Sequence, residues 1–210
     1  MTAAAAAPPL PDAPAPMSPA LDRRRAIEGA LFLALFCACI PAANWLIQNV
    51  GTVCVANGPC LIPVGWKLDG TMLMAPSAVI VVGLAFVLRD LVQRRLGVGW
   101  AAGAVVAGAA LSALLAPPAL VIASGVAFLV AEMADLLVYT PLARRRLIAA
   151  VVLSSIAGLV VDSLVFLQLA FGSLEFLWGQ VAGKSWAVIA ALPFVYWLRE
   201  RDARIGLQAA

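Results

Sequence analysis

The twelve arginines of this 210-residue chain fall in four groups, and long apolar segments separate them: Arg23 to Arg25, Arg89 with Arg94 and Arg95, Arg144 to Arg146, and Arg199 with Arg201 and Arg204. Cationic loops stay on the cytoplasmic face of a bilayer, so a basic group after every second apolar segment prescribes a threading pattern. Counting segments between groups gives six crossings with both ends on the cytoplasmic side. A chain that is 64% hydrophobic and 12% charged carries more apolar surface than one soluble core can hide. A mean hydropathy of +1.01 says the same. The net charge of +3 does not point to nucleic acid, because the cations sit at span ends and the chain has no histidine, no zinc-type cysteine cluster and no basic-aromatic stripe.

The expected organisation is a disordered, Ala/Pro-rich cytoplasmic tail over 1–25, a transmembrane domain over 26–199 and a cytoplasmic tail over 200–210. Spans are expected at about Ile27 to Gln48, Met72 to Leu88, Gly99 to Ala116, Ala119 to Tyr139, Leu147 to Phe171 and Gln180 to Leu198. Arg23 to Arg25, then Ala30 to Ile40 and Pro41-Ala42-Ala43, also imitate a signal peptide. The apolar stretch runs on through Trp45, Leu46 and Ile47, however, and its removal would spoil the arginine alternation. Segments of this length are helices, since barrel strands need only about ten alternating residues. The predicted class is therefore all-α, a six-helix transmembrane bundle. Small residues at four-residue spacing, Gly99 with Gly103, Ser154 with Gly158 and Gly179 with Gly183, suit close helix contacts.

The external segment Asn49 to Thr71 holds Cys54 and Cys60 around the turn sequence Asn57-Gly58-Pro59, where a disulfide would persist outside the cytoplasm. Two free thiols are the alternative. Cys37 and Cys39 read as small apolar residues of span one.

Charges that cannot mark topology carry the functional signal. Asp90, Glu132, Asp135, Asp162 and Lys184 lie within or at the edges of spans, where an insertion cost of about 2.5 to 3.5 kcal/mol each demands a partner or a polar cavity. Glu132, Asp135 and Tyr139 share one helical face. Asp162 and Lys184 flank the turn at Ser173 symmetrically, which puts both roughly 10 to 17 Å inside the outer boundary, as a static ion pair or as a pair reorganised by substrate. Asp90, next to Arg89 and four or five residues before Arg94 and Arg95, reads by position as half of a surface salt bridge at the cytoplasmic mouth.

Leu88-Arg89-Asp90-Leu91 with Arg95-Leu96-Gly97, Ala131-Glu132-Met133-Ala134-Asp135 through Tyr139, Gly158-Leu159-Val160-Val161-Asp162-Ser163 and Gly183-Lys184 together resemble the VUT family, whose characterised members are queuosine precursor transporters. The similarity runs from about Asn44-Trp45 to Leu198. The resemblance implies a six-helix fold and import of 7-deazaguanines, such as 7-cyano-7-deazaguanine and 7-aminomethyl-7-deazaguanine. By motif match it carries over Asp90, Asp135, Asp162, Lys184 and Asn44. Many relatives have an Asn between the span-five serines and the Asp where this chain shows only Ile156 and Leu159, which leaves the substrate open. A guanine-like edge offers adjacent N–H donors to one carboxylate, with Glu132 or Asp135 as candidates, and its rings would stack on Phe128, Phe166, Trp186 or Trp45.

A membrane enzyme is the rival class. Ser154, Ser155 and Ser163 have no base except Lys184, and no histidine exists for a triad. A transporter of another vitamin-like heterocycle and a helical scaffold, or accessory subunit, are further alternatives. The expected setting is multi-pass in a bacterial inner membrane, with no cofactor, the bilayer and a small molecule as partners, and a homo-oligomer or an energising partner left open.

Overall fold

The computed structural model describes residues 17–56, 58–115 and 120–210. The Ala/Pro-rich stretch before Met17, Asn57 of the cysteine turn and the Pro117-Pro118 turn lie outside the described residues. The described residues form six helices: α1 (Pro19–Asn49), α2 (Val79–Leu96), α3 (Val98–Leu115), α4 (Val121–Ala143), α5 (Leu147–Phe171) and α6 (Leu177–Ile205). Between α1 and α2 lies a three-stranded antiparallel sheet of β1 (Val53–Cys54), β2 (Cys60–Trp66) and β3 (Met72–Pro76).

The sheet corrects two expectations. The bundle is not purely helical, and the second span yields Met72 to Pro76 to a strand, so that its helix begins at Val79. The cause is local. Asp69-Gly70 forms a tight turn in which Gly70 adopts φ +80°, its amide donates to the Lys67 carbonyl at 3.0 Å, and the Lys67 amide donates to Thr71 at 2.8 Å. The Thr71 hydroxyl and amide both donate to Asp69 Oδ1, at 2.6 and 2.9 Å. Those bonds hold the Asp69 carboxyl below its ordinary pKa. On the other side of β2, Cys54 faces Cys60 across the ladder and the two are joined by a disulfide.

The arrangement of side chains is inverted relative to a soluble protein. Ile122 and Leu137 are 75% and 73% exposed while Arg89, Asp135 and Ser154 are fully buried. Among the described residues, α1, α3, α4, α5 and α6 are long and apolar enough to cross a membrane. The exception is α2, whose 18 residues include Arg89, Asp90, Arg94 and Arg95. Those charges face inward, so α2 meets the same bundle from inside.

Both ends of the bundle run further than expected. α1 begins within the anticipated 1–25 tail, capped by Ser18, whose Oγ accepts from the Leu21 amide at 3.4 Å, with proline in its first turn. α6 continues to Ile205, and beyond it Leu207 is buried. Ion pairs account for both extensions. Asp202 of α6 accepts two bonds from Arg95 of α2, at 2.8 and 2.9 Å. Glu28 of α1 accepts from Arg95 at 3.0 Å, from Arg201 at 2.6 Å and from Arg24 at 3.0 Å. Helical backbone on either side of the apolar segments is what brings these groups together.

Of the three small-residue pairs, Ser154/Gly158 and Gly179/Gly183 sit at helix contacts. A Cβ on Gly158 would come within 2.9 Å of Phe86, whereas one on Gly99 or Gly103 would meet open space. Gly83 and Gly179 permit the closest approaches, α2 against the backbone of Lys184 and α6 against the backbone of Met74 in β3.

Candidate functional site

A cavity of about 100 Å³ opens in the middle of the bundle, and every one of the six helices contributes to its wall. On a scale where one water needs about 10 to 15 Å³, several water-sized groups fit. The wall is mostly apolar. Its polar groups are Asn44 of α1, Ser112 of α3, Ser124 of α4, Asp162 of α5, and Gln180 with Lys184 of α6, and Phe128 and Phe166 present aromatic rings. Few polar groups in an apolar wall is the usual make-up of a small-molecule site.

The charged part of this wall is built on two adjacent helices. Lys184 Nζ donates to Asp162 Oδ2, to Ser163 Oγ at 2.8 Å and to Gln180 Oε1 at 2.6 Å. All three ammonium protons are thereby taken. Ser163 donates in turn to the Leu159 carbonyl at 2.6 Å. A lysine with three acceptors and a carboxylate partner has no lone pair to offer, so the Ser163–Lys184 contact is not a nucleophile and its base. Asp162 retains 13% side-chain exposure, and its second oxygen has no donor among the described residues. Gln180 spends its carbonyl on Lys184, leaving its NH₂ group for the cavity, and Asn44 donates Nδ2 to the Ile40 carbonyl at 3.0 Å, leaving its own carbonyl as an acceptor.

A second charged group lies one helical turn deeper. Arg89 stands 3.0 Å from Asp90, 3.0 Å from Glu132 and 2.6 Å from Asp135, and all four side chains are at most 1% exposed. Asp90 also accepts from Ser154 Oγ at 2.9 Å. The surface salt bridge expected for Asp90 is therefore absent: the residue is fully buried and paired with Arg89, while Arg94 and Arg95 turn to Asp202. The physical reason is that Asp202 and Glu28 supply a better matched pair of carboxylates to those arginines than one aspartate on their own helix.

The two groups stack in register with a third layer. Along α2, Ala85 lines the cavity, Arg89 is in the ion cluster, and Gln93 lines a second cavity with Arg94 and Arg144. Along α4 the same order is Phe128, then Glu132 and Asp135, then Tyr139 and Thr140. Steps of three or four residues keep all of them on one face. The Arg89 cluster thus lies between the two cavities along α2 and α4.

Of the residues expected at a site, the structure gathers Asn44, Phe128, Asp162, Phe166 and Lys184 around one cavity. It does not bring Asp90, Glu132 or Asp135 there. Trp186 is 58% exposed and donates to the Val64 carbonyl at 3.1 Å, tying α6 to β2. Sequence reasoning missed Gln180, which stands four residues before Lys184 and so had a detectable helical signal. It also assigned Arg89 to topology, although that arginine precedes the Arg94-Arg95 pair by more than a turn and abuts an intramembrane aspartate.

Residues 111–198 match the family model described as "Putative vitamin uptake transporter". That stretch of the chain is similar to the family. The VUT-like segment runs from the end of α3 through α4 and α5 to Leu198 of α6, so it contains Glu132, Asp135, Asp162, Gln180 and Lys184. Arg89, Asp90 and Asn44 lie before it. No curated protein and no solved structure matches the chain.

Proposed function

We propose that this VUT-like protein imports a flat, polar, vitamin-like heterocycle, specifically the queuosine precursor 7-cyano-7-deazaguanine or 7-aminomethyl-7-deazaguanine. It does so across a bacterial inner membrane, with six spans and both ends cytoplasmic. The observation that carries this reading is a central cavity walled by all six helices, whose lining combines one carboxylate with an unused oxygen and the aromatic rings of Phe128 and Phe166. The guanine-like edge of such a base presents two N–H donors beside a carbonyl acceptor. Asp162 meets the donors, and the Gln180 NH₂ group meets the carbonyl, a charge-assisted pairing stronger than neutral hydrogen bonds. Phe128 and Phe166 cover the faces of the rings. Glu132 and Asp135, committed to Arg89, hold the bundle closed below the base and do not touch it.

The test is rescue of queuosine formation in a precursor-auxotrophic bacterium supplied with each candidate base. Rescue by one of them, abolished by Asp162→Asn at equal expression, is expected. Failure of every deazaguanine, with thermal stabilisation of the purified protein by some other heterocycle, would redirect the substrate assignment. Absence of any ligand effect in either assay would favour a helical scaffold.

A further inference from the structure

The Arg89 cluster does not balance its own charge. One guanidinium faces three carboxylates, Asp90, Glu132 and Asp135, and none of the four is more than 1% exposed. Among the described residues no cation besides Arg89 pairs with these carboxylates, and Arg144 at the end of α4 lines the second cavity beside Tyr139 without reaching them. On α5 and α6, Asp162 and Lys184 neutralise each other. α3 carries no ionisable group. The ionisable groups of α1 nearest this level are the thiols Cys37 and Cys39, and Glu28 is taken by Arg24, Arg95 and Arg201. Arg94 of α2 belongs to Asp202. With every carboxyl ionised, the cluster would hold two uncompensated negative charges in a low-dielectric interior, where charges persist only when paired.

Two further observations point to a ligand. Asp135 Oδ2 and the hydroxyls of Tyr139 and Ser155 are buried without a hydrogen-bond partner among the described residues, while Asp135 Oδ1 is held by Arg89 at 2.6 Å. The Tyr139 ring lies 5.8 Å from the Arg89 guanidinium, and the same residue lines the second cavity. The ligand must therefore be cationic, must occupy almost no volume and must reach the cluster past Tyr139. No group of carboxylates among the described residues is arranged to hold a metal ion.

We propose that the Arg89 cluster is a proton-binding site, in which at least one proton is shared among Asp90, Glu132 and Asp135 and is exchanged with the arginine-rich side during transport. The inference rests on the import reading for its coupling, though not for the proton itself. For substrate to pass from the first cavity to the second, Arg89 must separate from carboxylates that plug the way. Protonated carboxyls tolerate that separation and ionised ones do not, so the loaded cluster opens and the unloaded cluster stays shut. The titration belongs to the three groups together.

The experiment has two arms on the full chain in lipid. Infrared spectroscopy at neutral pH is expected to show the carbonyl stretch of a protonated carboxyl, shifted in heavy water and lost or weakened in Asp135→Asn and in Glu132→Gln. Because each substitution removes surplus negative charge, both variants are expected to fold. Absence of the band, or a band unchanged in these variants and in Asp90→Asn, overturns the proton site whatever the substrate. In the second arm, proteoliposomes held at zero membrane potential take up labelled 7-cyano-7-deazaguanine. With one proton per neutral base, an inward gradient of about one pH unit gives about tenfold accumulation. Asp135→Asn abolishes that accumulation and keeps substrate exchange. Wild-type exchange unaffected by the proton gradient overturns the coupling, as does accumulation driven by sodium instead. Failure of exchange itself, with the infrared band present, counts against the import reading alone.

Discussion

Two charged groups sit a helical turn apart in this bundle, and they differ in what surrounds them. Lys184 and Asp162 face a cavity, share their bonds with Ser163 and Gln180, and leave one carboxylate oxygen unused. Arg89, Asp90, Glu132 and Asp135 are sealed on all sides, with their cation claimed three times over. A buried charge next to free space can trade a protein partner for a ligand. A buried charge enclosed by helices has no room for a ligand larger than a proton, and its charge balance holds the helices together or forces them apart. Both groups lie inside the helical bundle, and packing assigns them different work.

The sharpest way to break this contrast is to remove the cation of the sealed group. Arg89→Gln leaves three carboxylates without compensation, and stability in detergent is expected to fall by about 3 to 5 kcal/mol, the usual cost of orphaning a buried charge. Thermal unfolding measures it, and partial recovery on adding Asp135→Asn would locate the cost in surplus negative charge. An Arg89→Gln protein with the wild-type midpoint would show that the cluster is not a structural plug. For the open group the balance is reversed. Asp162→Asn is expected to cut uptake of labelled 7-cyano-7-deazaguanine by about tenfold or more, equivalent to the roughly 1.5 to 3 kcal/mol of a hydrogen bond to a charged group. Its unfolding midpoint should move less than that of Arg89→Gln, because cavity water can solvate Lys184. Phe166→Ala sharpens the picture further, raising KM by about threefold to tenfold, as expected for loss of an aromatic contact of about 0.5 to 1.5 kcal/mol. Unchanged KM would move the ring of the base away from α5.

The smallest effect lies outside both groups, at the sheet. The Asp69 carboxyl has a folded pKa held below its ordinary value by the bonds from Thr71. Its contribution is present above the unfolded pKa and is lost as pH falls through the folded one. Acidification should therefore loosen the Lys67 to Thr71 turn, read as faster amide exchange there, and Asp69→Ala should remove that pH dependence while leaving uptake at neutral pH unchanged.

The helical class and the places of five long apolar helices were legible in the sequence because apolar length is a one-dimensional signal. The cavity residues on α1, α4, α5 and α6 were partly legible for the same reason, since Asn44, Asp162 and Lys184 are polar where lipid forbids polarity without a partner. What could not be read was partnership. Glu132 and Asp135 look as available as Asp162 until Arg89 arrives from α2, more than forty residues away in the chain. The strand at Met72 to Pro76 was hidden because an apolar run of that length suits a buried strand and a helix start equally well. Glu28 and Asp202 gave no warning either, because each has an arginine partner on its own helix, and their bonds to Arg95 form only once α1, α2 and α6 lie side by side.

The clamp formed by those three helices has a mechanical corollary. They are bracketed at one extremity by Glu28, Arg95, Arg201 and Asp202, and at the other by the sheet, through Ser77 on the Leu46 carbonyl and Trp186 on Val64. Rods pinned at two heights cannot tilt independently. Any rearrangement that widens the lumen must fall to α3, α4 and α5, which makes that trio the moving leaf and the disulfide-braced trio its hinge post.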